Sequence, residues 1–287
     1  MKFCFALSFS DLDQFVPLAR AADEAGYEAV AVSDHVVNPE VLSTPYPYTD
    51  DGERRWEPFT PWADPWVAVG AMASVTTRLK FFTNVYVLPM RPPFAVAKAV
   101  GTAAVLSGNR VALGVGMGWT EDEFRLMEQP FEKRGKRADE MLDVLRALWA
   151  GGWVEHHGEF YDFDRLEMSP APTAPVPVYV GGMSDVALRR AARNDGWVSD
   201  LHTTDELETF VERLRVEREK LGRTMDDFTV IASCSDAYDA DGYQRLSAIG
   251  VTHLLTLPWI FSHGWTSDLQ ARIDGLHHFA ETIFPNL

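Results

Sequence analysis

Eight times along the chain, an apolar run of strand length is followed by a stretch of helical pattern. The runs are "KFCFALS", "EAVAVSD", "LKFFTNVYVL", "RVALGVGMG", "PVYVGG", "GWVSD", "FTVIASC" and "VTHLLTLPW". Between and after them lie segments such as "DLDQFVPLARAADEAG", "PFAVAKAVGTAAVLSG" and "DELETFVERLRVEREKLG", several of which open at an Asp and close at a Gly, the usual cap residues. The runs are continuously apolar rather than alternating, which fits strands covered on both faces and therefore a parallel sheet. Eight such units, with no linker and no low-complexity tract, predict a single (β/α)8 TIM-barrel domain over residues 1–287 in preference to a doubly wound open sheet. Two segments stand outside the repeat: a loop insertion over 35–63 and a flap or hairpin over 154–172, both expected at the C-terminal face of the barrel.

Composition narrows the function. With 287 residues and 46% hydrophobic content, the chain can bury one large core. Its two cysteines, Cys4 and Cys234, lie in apolar runs and read as reduced core thiols, which suits a cytoplasmic protein. The opening "MKFCFALSFSDLD" turns acidic too soon for a signal peptide, and no apolar stretch is long enough to cross a membrane. A formal net charge of −16 argues against a nucleic-acid partner. No HExxH, CxxC or nucleophile elbow occurs, so no metal is expected.

In a barrel, chemistry belongs at the C-terminal ends of the strands. At one such end, Gly181-Gly182 precede a helix start, an arrangement that lets an anion approach free N–H groups and that also serves as a plain tight turn capped by Ser184. Arg189 and Arg190 follow on that helix and could add charge. Gly114, Gly116 and Gly118 either make room for a flat ring or ease packing in a crowded barrel. Asp34-His35 form a candidate proton-handling pair, in which the carboxylate fixes the imidazole tautomer or contacts a ligand; the bland reading is a surface histidine. His202, which ends a strand, ranks next. The loop aromatics Tyr46, Tyr48, Trp56, Phe59, Trp62 and Trp66 suit an apolar substrate or simply pack the loop on the rim.

The segments "SDHV", "TNVYVLPMRPPFAVAKAVGTAAVLSGNRVALGVGMGWTEDEF", "PFEKRGKRADEMLDVLRALW", "HGEFYDFD" and "PVYVGGMSDVALRRAARNDGWV" together resemble the bacterial luciferase-like superfamily, most closely its coenzyme F-420-dependent oxidoreductase branch. The likeness runs in register to about Asp200 and weakens over the last third. It implies a TIM-barrel enzyme with a flavin or deazaflavin at the strand mouths. Val180, Gly181, Gly182, Met183 and Ser184 would then hold the cofactor phosphate. Asp34 would meet the ring edge or the ribityl-like chain, and His35 the reacting carbon as proton donor or acceptor. Thr83, Asn84 and Val85 would form a bulge behind the ring, with a cis peptide between Asn84 and Val85. Gly116, Met117 and Gly118 would line the channel, bordered by Trp119 and Thr120. Sugar-phosphate dehydrogenases of the branch carry a Glu where Trp119 stands, so the resemblance favours an apolar substrate here. The expected activity is hydride transfer between coenzyme F-420 and a small organic molecule by a homodimer. The alternatives are a two-component FMN-dependent monooxygenase served by a partner reductase, and a non-catalytic flavin-binding protein.

Overall fold

A computed structural model describes residues 1–49 and 51–287. The eight expected strands form: β1 Lys2–Ala6, β2 Ala29–Val32, β3 Lys80–Thr83, β4 Val111–Gly116, β5 Val178–Gly181, β6 Gly196–His202, β7 Thr229–Cys234 and β8 His253–Thr256. Each pairs in parallel with the next, and β8 pairs with β1, so the sheet closes into the TIM barrel. A helix follows every strand: Phe15–Ala25, Pro65–Ala73, Pro93–Ser107, Arg134–Trp149, Asp185–Arg193, Thr204–Glu219, Ala240–Ile249 and Leu269–Ile283. None is long and apolar enough to cross a membrane among the described residues.

The continuous apolar runs are explained by two cores. Cys4, Ala31, Phe82, Ala112, Val198, Ile231 and Leu255, with Tyr179 against them, come from all eight strands and fill the barrel interior. Their chain neighbours Phe3, Phe5, Val30, Phe81, Leu113, Val180 and Trp197 point the other way, into the layer under the helices. Successive strand residues alternate faces, and both faces are dry, so polar positions are not needed.

The segment at 154–172 does contain a hairpin, Trp153–His157 antiparallel to Asp162–Glu167. It is inserted between a helix and β5, not after a strand. Its turn is held on the side of helix Arg134–Trp149, where the Glu140 carboxylate accepts the N–H groups of Glu159, Phe160 and Tyr161. The turn also brings Glu159 to Lys133 at 3.0 Å, beside the Arg134 end of that helix, which is the end at the strand mouths, as expected of an insertion at the C-terminal face. Two short helices that no periodicity announced, Glu121–Leu126 and Ile260–His263, follow β4 and β8.

Candidate active site

A cavity of about 810 Å³ opens at the C-terminal ends of the strands, within the range of small-molecule sites. Asp34, His35, Asn84, Val85, Gly116, Met117, Gly118, Trp119, Gly181, Gly182, Met183 and Ser184 all line it. Thr83 and Val180 do not. Thr83 is fully buried and donates its hydroxyl to the Gly114 carbonyl at 2.7 Å, tying β3 to β4. Val180 faces outward into the helix layer. Both are one residue short of the mouth, so their side chains serve the wall and not the opening.

The third strand stops at Thr83 and resumes as a two-residue strand, Tyr86–Val87, beside β4. Between them the Asn84–Val85 peptide is cis, as the resemblance implies. Val85 lies over two glycines: a Cβ on Gly116 would stand 2.6 Å from one of its methyls, and a Cβ on Gly181 2.9 Å from the other. So the missing Cβ of the first glycine of the pair at 181–182 makes room for another part of the chain. Gly182 differs. Its φ of +110° is one that side chains rarely adopt, and only the Ala187 Cβ comes near the place where its own would be. This second glycine turns the chain into helix Asp185–Arg193. Ser184 caps that helix, its hydroxyl accepting the Ala187 N–H at 3.2 Å.

Two arginines line this corner, and they are not the pair the sequence offered. Arg189 lies instead in an outer groove beside Glu212 and Glu217. Arg190 does reach the cavity but is bound by Asp139 at 2.5 and 3.1 Å. Arg134, at the start of its helix, donates to the Gly118 carbonyl at 3.0 Å and packs on the Phe131 ring. It has no carboxylate at ion-pair distance among the described residues, so its charge is available to an anion.

On the opposite side, the two members of the Asp34-His35 pair part company. Asp34 receives Arg91 through both oxygens, at 2.7 and 2.6 Å, and the Val87 N–H at 2.9 Å. Burial pushes its carboxyl up, and the Arg91 guanidinium opposes that. A carboxylate so engaged braces β2 against the segment after β3 and is not the partner of the imidazole, which corrects the catalytic role expected for it. The carboxylate next to His35 is Glu123, whose Oε2 lies 3.4 Å from His35 Nδ1.

The aromatics of the 35–63 loop divide as well. Trp56 and Trp62 both pack against the His35 ring, tilted, with centroids 4.7 and 5.0 Å away, and meet each other at 5.4 Å. Tyr46 meets Trp56 and Trp119 edge-on, at 5.3 and 5.2 Å, and joins them in a roof over the cavity, with Tyr48 beside it. Phe59 points into solvent, 98% exposed, and Trp66 packs in the core against Tyr86. Arg55 pins the loop across the mouth through Asp200, at 2.8 Å. His202 leaves the cavity altogether, paired with Glu206 and lying against Phe210. Among the described residues, no His, Cys, Asp and Glu cluster could hold a metal.

Residues 5–262 match the family model of luciferase-like monooxygenases. The chain belongs to that family. Two relatives are similar to it over most of its length. An uncharacterized protein of Mycobacterium tuberculosis is 42% identical over 99% of both chains. An F420-dependent glucose-6-phosphate dehydrogenase of Nakamurella multipartita is 31% identical over 80% of this chain and 66% of its own. Among solved structures, the coenzyme F420-dependent tetrahydromethanopterin reductase of Methanopyrus kandleri superposes with a TM-score of 0.76 at 15% identity, over 99% of this chain and 98% of that one. The FMN-bound oxygenating constituent of 3,6-diketocamphane monooxygenase from Pseudomonas putida gives 0.64 at 18% identity, over 82% and 68%. At these identities the structures support the barrel alone.

Proposed function

We propose that this chain is an oxidoreductase that moves a hydride between coenzyme F-420 and a small, uncharged, largely apolar organic substrate. The support is the division of one cavity into two unlike halves. One half has an open glycine corner at a helix start with an unpaired Arg134, suited to a phosphate. The other half has a single imidazole under an aromatic roof, suited to a neutral molecule. Val85, seated in its two glycine notches, forms a rigid shelf between them.

A deazaflavin supplies two-electron hydride chemistry at a ring carbon. The remaining work falls to the chain. Gly182 and the first turn of helix Asp185–Arg193 bind the phosphate, Val85 backs the ring, and the Trp56–Trp62–Tyr46 roof holds the substrate and excludes water. His35 gives or takes the one proton the reaction requires. The roof also bears on substrate charge. Trp119 occupies its edge, and Arg55, the nearby cation, is already neutralised by Asp200. A sugar phosphate would find no free positive group on that side.

Titration of the purified protein with coenzyme F-420 and separately with FMN tests this reading. F-420 should bind at least about tenfold tighter, a difference of about 1.4 kcal/mol. Preference for FMN would turn the reading to a monooxygenase fed by a reductase, and binding of neither would end it.

A further inference from the structure

We infer that Glu123 is the positioning residue that decides which nitrogen of His35 carries the hydrogen, and so which nitrogen is left to exchange a proton with a bound molecule. Glu123 is only 2% exposed. It sits on helix Glu121–Leu126, and nothing in the spacing of 88 residues ties it to His35. Yet its two oxygens serve the end of β2 completely: Oε1 accepts the Val36 N–H at 3.1 Å, with the Val37 N–H at 3.5 Å, and Oε2 faces His35 Nδ1 at 3.4 Å. An ionised carboxylate can only accept. The hydrogen of a neutral imidazole in this contact must therefore reside on Nδ1, which leaves the Nε2 lone pair uncommitted. No hydrogen bond within the described residues engages Nε2. Trp56 and Trp62 pack against the ring, and Glu123 is the carboxylate that faces its Nδ1. Asp34 cannot do this, because Arg91 and the Val87 N–H already take both its oxygens.

The tautomer assignment stands on geometry; its importance for turnover rests on the function proposed above. Protein labelled with 15N-histidine, free of cofactor and in mildly alkaline buffer, reports the tautomer through long-range proton–nitrogen correlations, with His35 identified by its loss in His35→Gln. The wild-type chain should show hydrogen on Nδ1. Glu123→Gln keeps an oxygen for the Val36 N–H but turns an NH2 group toward Nδ1, so the hydrogen should move to Nε2. The variant should also lose about 10- to 100-fold in kcat, the usual worth of a carboxylate behind a working histidine, with cofactor Kd unchanged. Asp122→Asn is the control. Asp122 anchors Ser43 of the loop at 2.8 Å and does not touch His35, so its loss should leave the tautomer alone. Wild-type hydrogen on Nε2, or a Glu123→Gln protein that retains it on Nδ1, would overturn the inference. A His35→Ala variant with full turnover would instead strike the hydride reading and leave the tautomer assignment standing.

Discussion

The two ends of the barrel treat their polar groups in opposite ways. At the N-terminal end these polar groups find partners close by, in ion pairs or on the backbone. Glu28 is held between Lys2 and Lys80, at 3.0 and 2.8 Å. Asp23 accepts the N–H groups of Thr77, Arg78 and Leu79, and Arg110 donates to the carbonyls of Ala73, Thr76, Ser107 and Leu79. At the C-terminal end Asp34, Arg190 and Arg55 are paired too, but among the described residues others have something to spare: Arg134 with two carbonyl partners where Arg110 has four, Gly182 with an open face, His35 with one nitrogen free. Saturated valences stabilise a fold, while unsaturated ones are what a ligand can use. The comparison therefore predicts that changes at the mouth alter binding and rate, and changes at the base alter stability alone.

The largest effect that could break this division is at His35. His35→Ala should fold and bind cofactor normally but slow hydride transfer by roughly two to four orders of magnitude, followed as the change in deazaflavin absorbance. Near-normal turnover would leave His35 a lining residue of the cavity with no part in the proton transfer. At the base, Asp23→Ala strands three backbone N–H groups and should cost about 2–4 kcal/mol, seen as a lower urea midpoint. Cofactor Kd should not move, and if it does the two ends are coupled. Gly182→Ala sharpens the comparison from the other side. The φ of +110° makes the variant somewhat less stable, by about 1–2 kcal/mol, and cofactor binding should weaken by about tenfold beyond that, measured below the melting range. A variant that loses stability and keeps its cofactor affinity would reduce the glycine to a turn.

The last effect is absent at neutral pH and appears only in acid. Burial, helped by Lys2, depresses the pKa of His253 from 6.5 to about 4. The unfolded chain then binds a proton that the folded chain refuses, so stability is complete above 6.5 and is lost as pH falls toward 4. The slope is at most about 1.4 kcal/mol per pH unit. Denaturation midpoints measured across this window should flatten in His253→Asn, with no change in cofactor affinity. A wild-type midpoint constant over the window would remove His253 from the account.

What was legible in the sequence follows from how local each signal is. Strand and helix periods are written within a dozen residues, so all eight units stood out and the barrel with them. Which strand ends meet at the mouth follows from topology, and that placed His35, Asn84 and Gly182 on one cavity. Pairings between distant segments were not legible. Nothing in "TEDEF" marks Glu123, and only folding brings it to His35. Asp34 looked like the natural partner of its chain neighbour, but successive residues at a strand end point apart, and Arg91 waits 57 positions on. The double glycine raised the question of a close approach and could not say from which side. Val85 approaches Gly181 from within the protein, while Gly182 is left for the turn. The short helices at 121–126 and 260–263 span too few residues to declare a period.

The seat of Val85 carries a consequence for how such a chain can drift. Gly116, Gly181 and residue 85 occupy one volume between them, so their identities are not independent. A methyl added at either glycine collides with Val85 unless that side chain shrinks. A smaller residue at 85 would lower the shelf without disturbing either strand. Random substitution at either glycine should therefore be rejected singly and tolerated where residue 85 shrinks with it, with the depth of the cavity floor as the quantity traded.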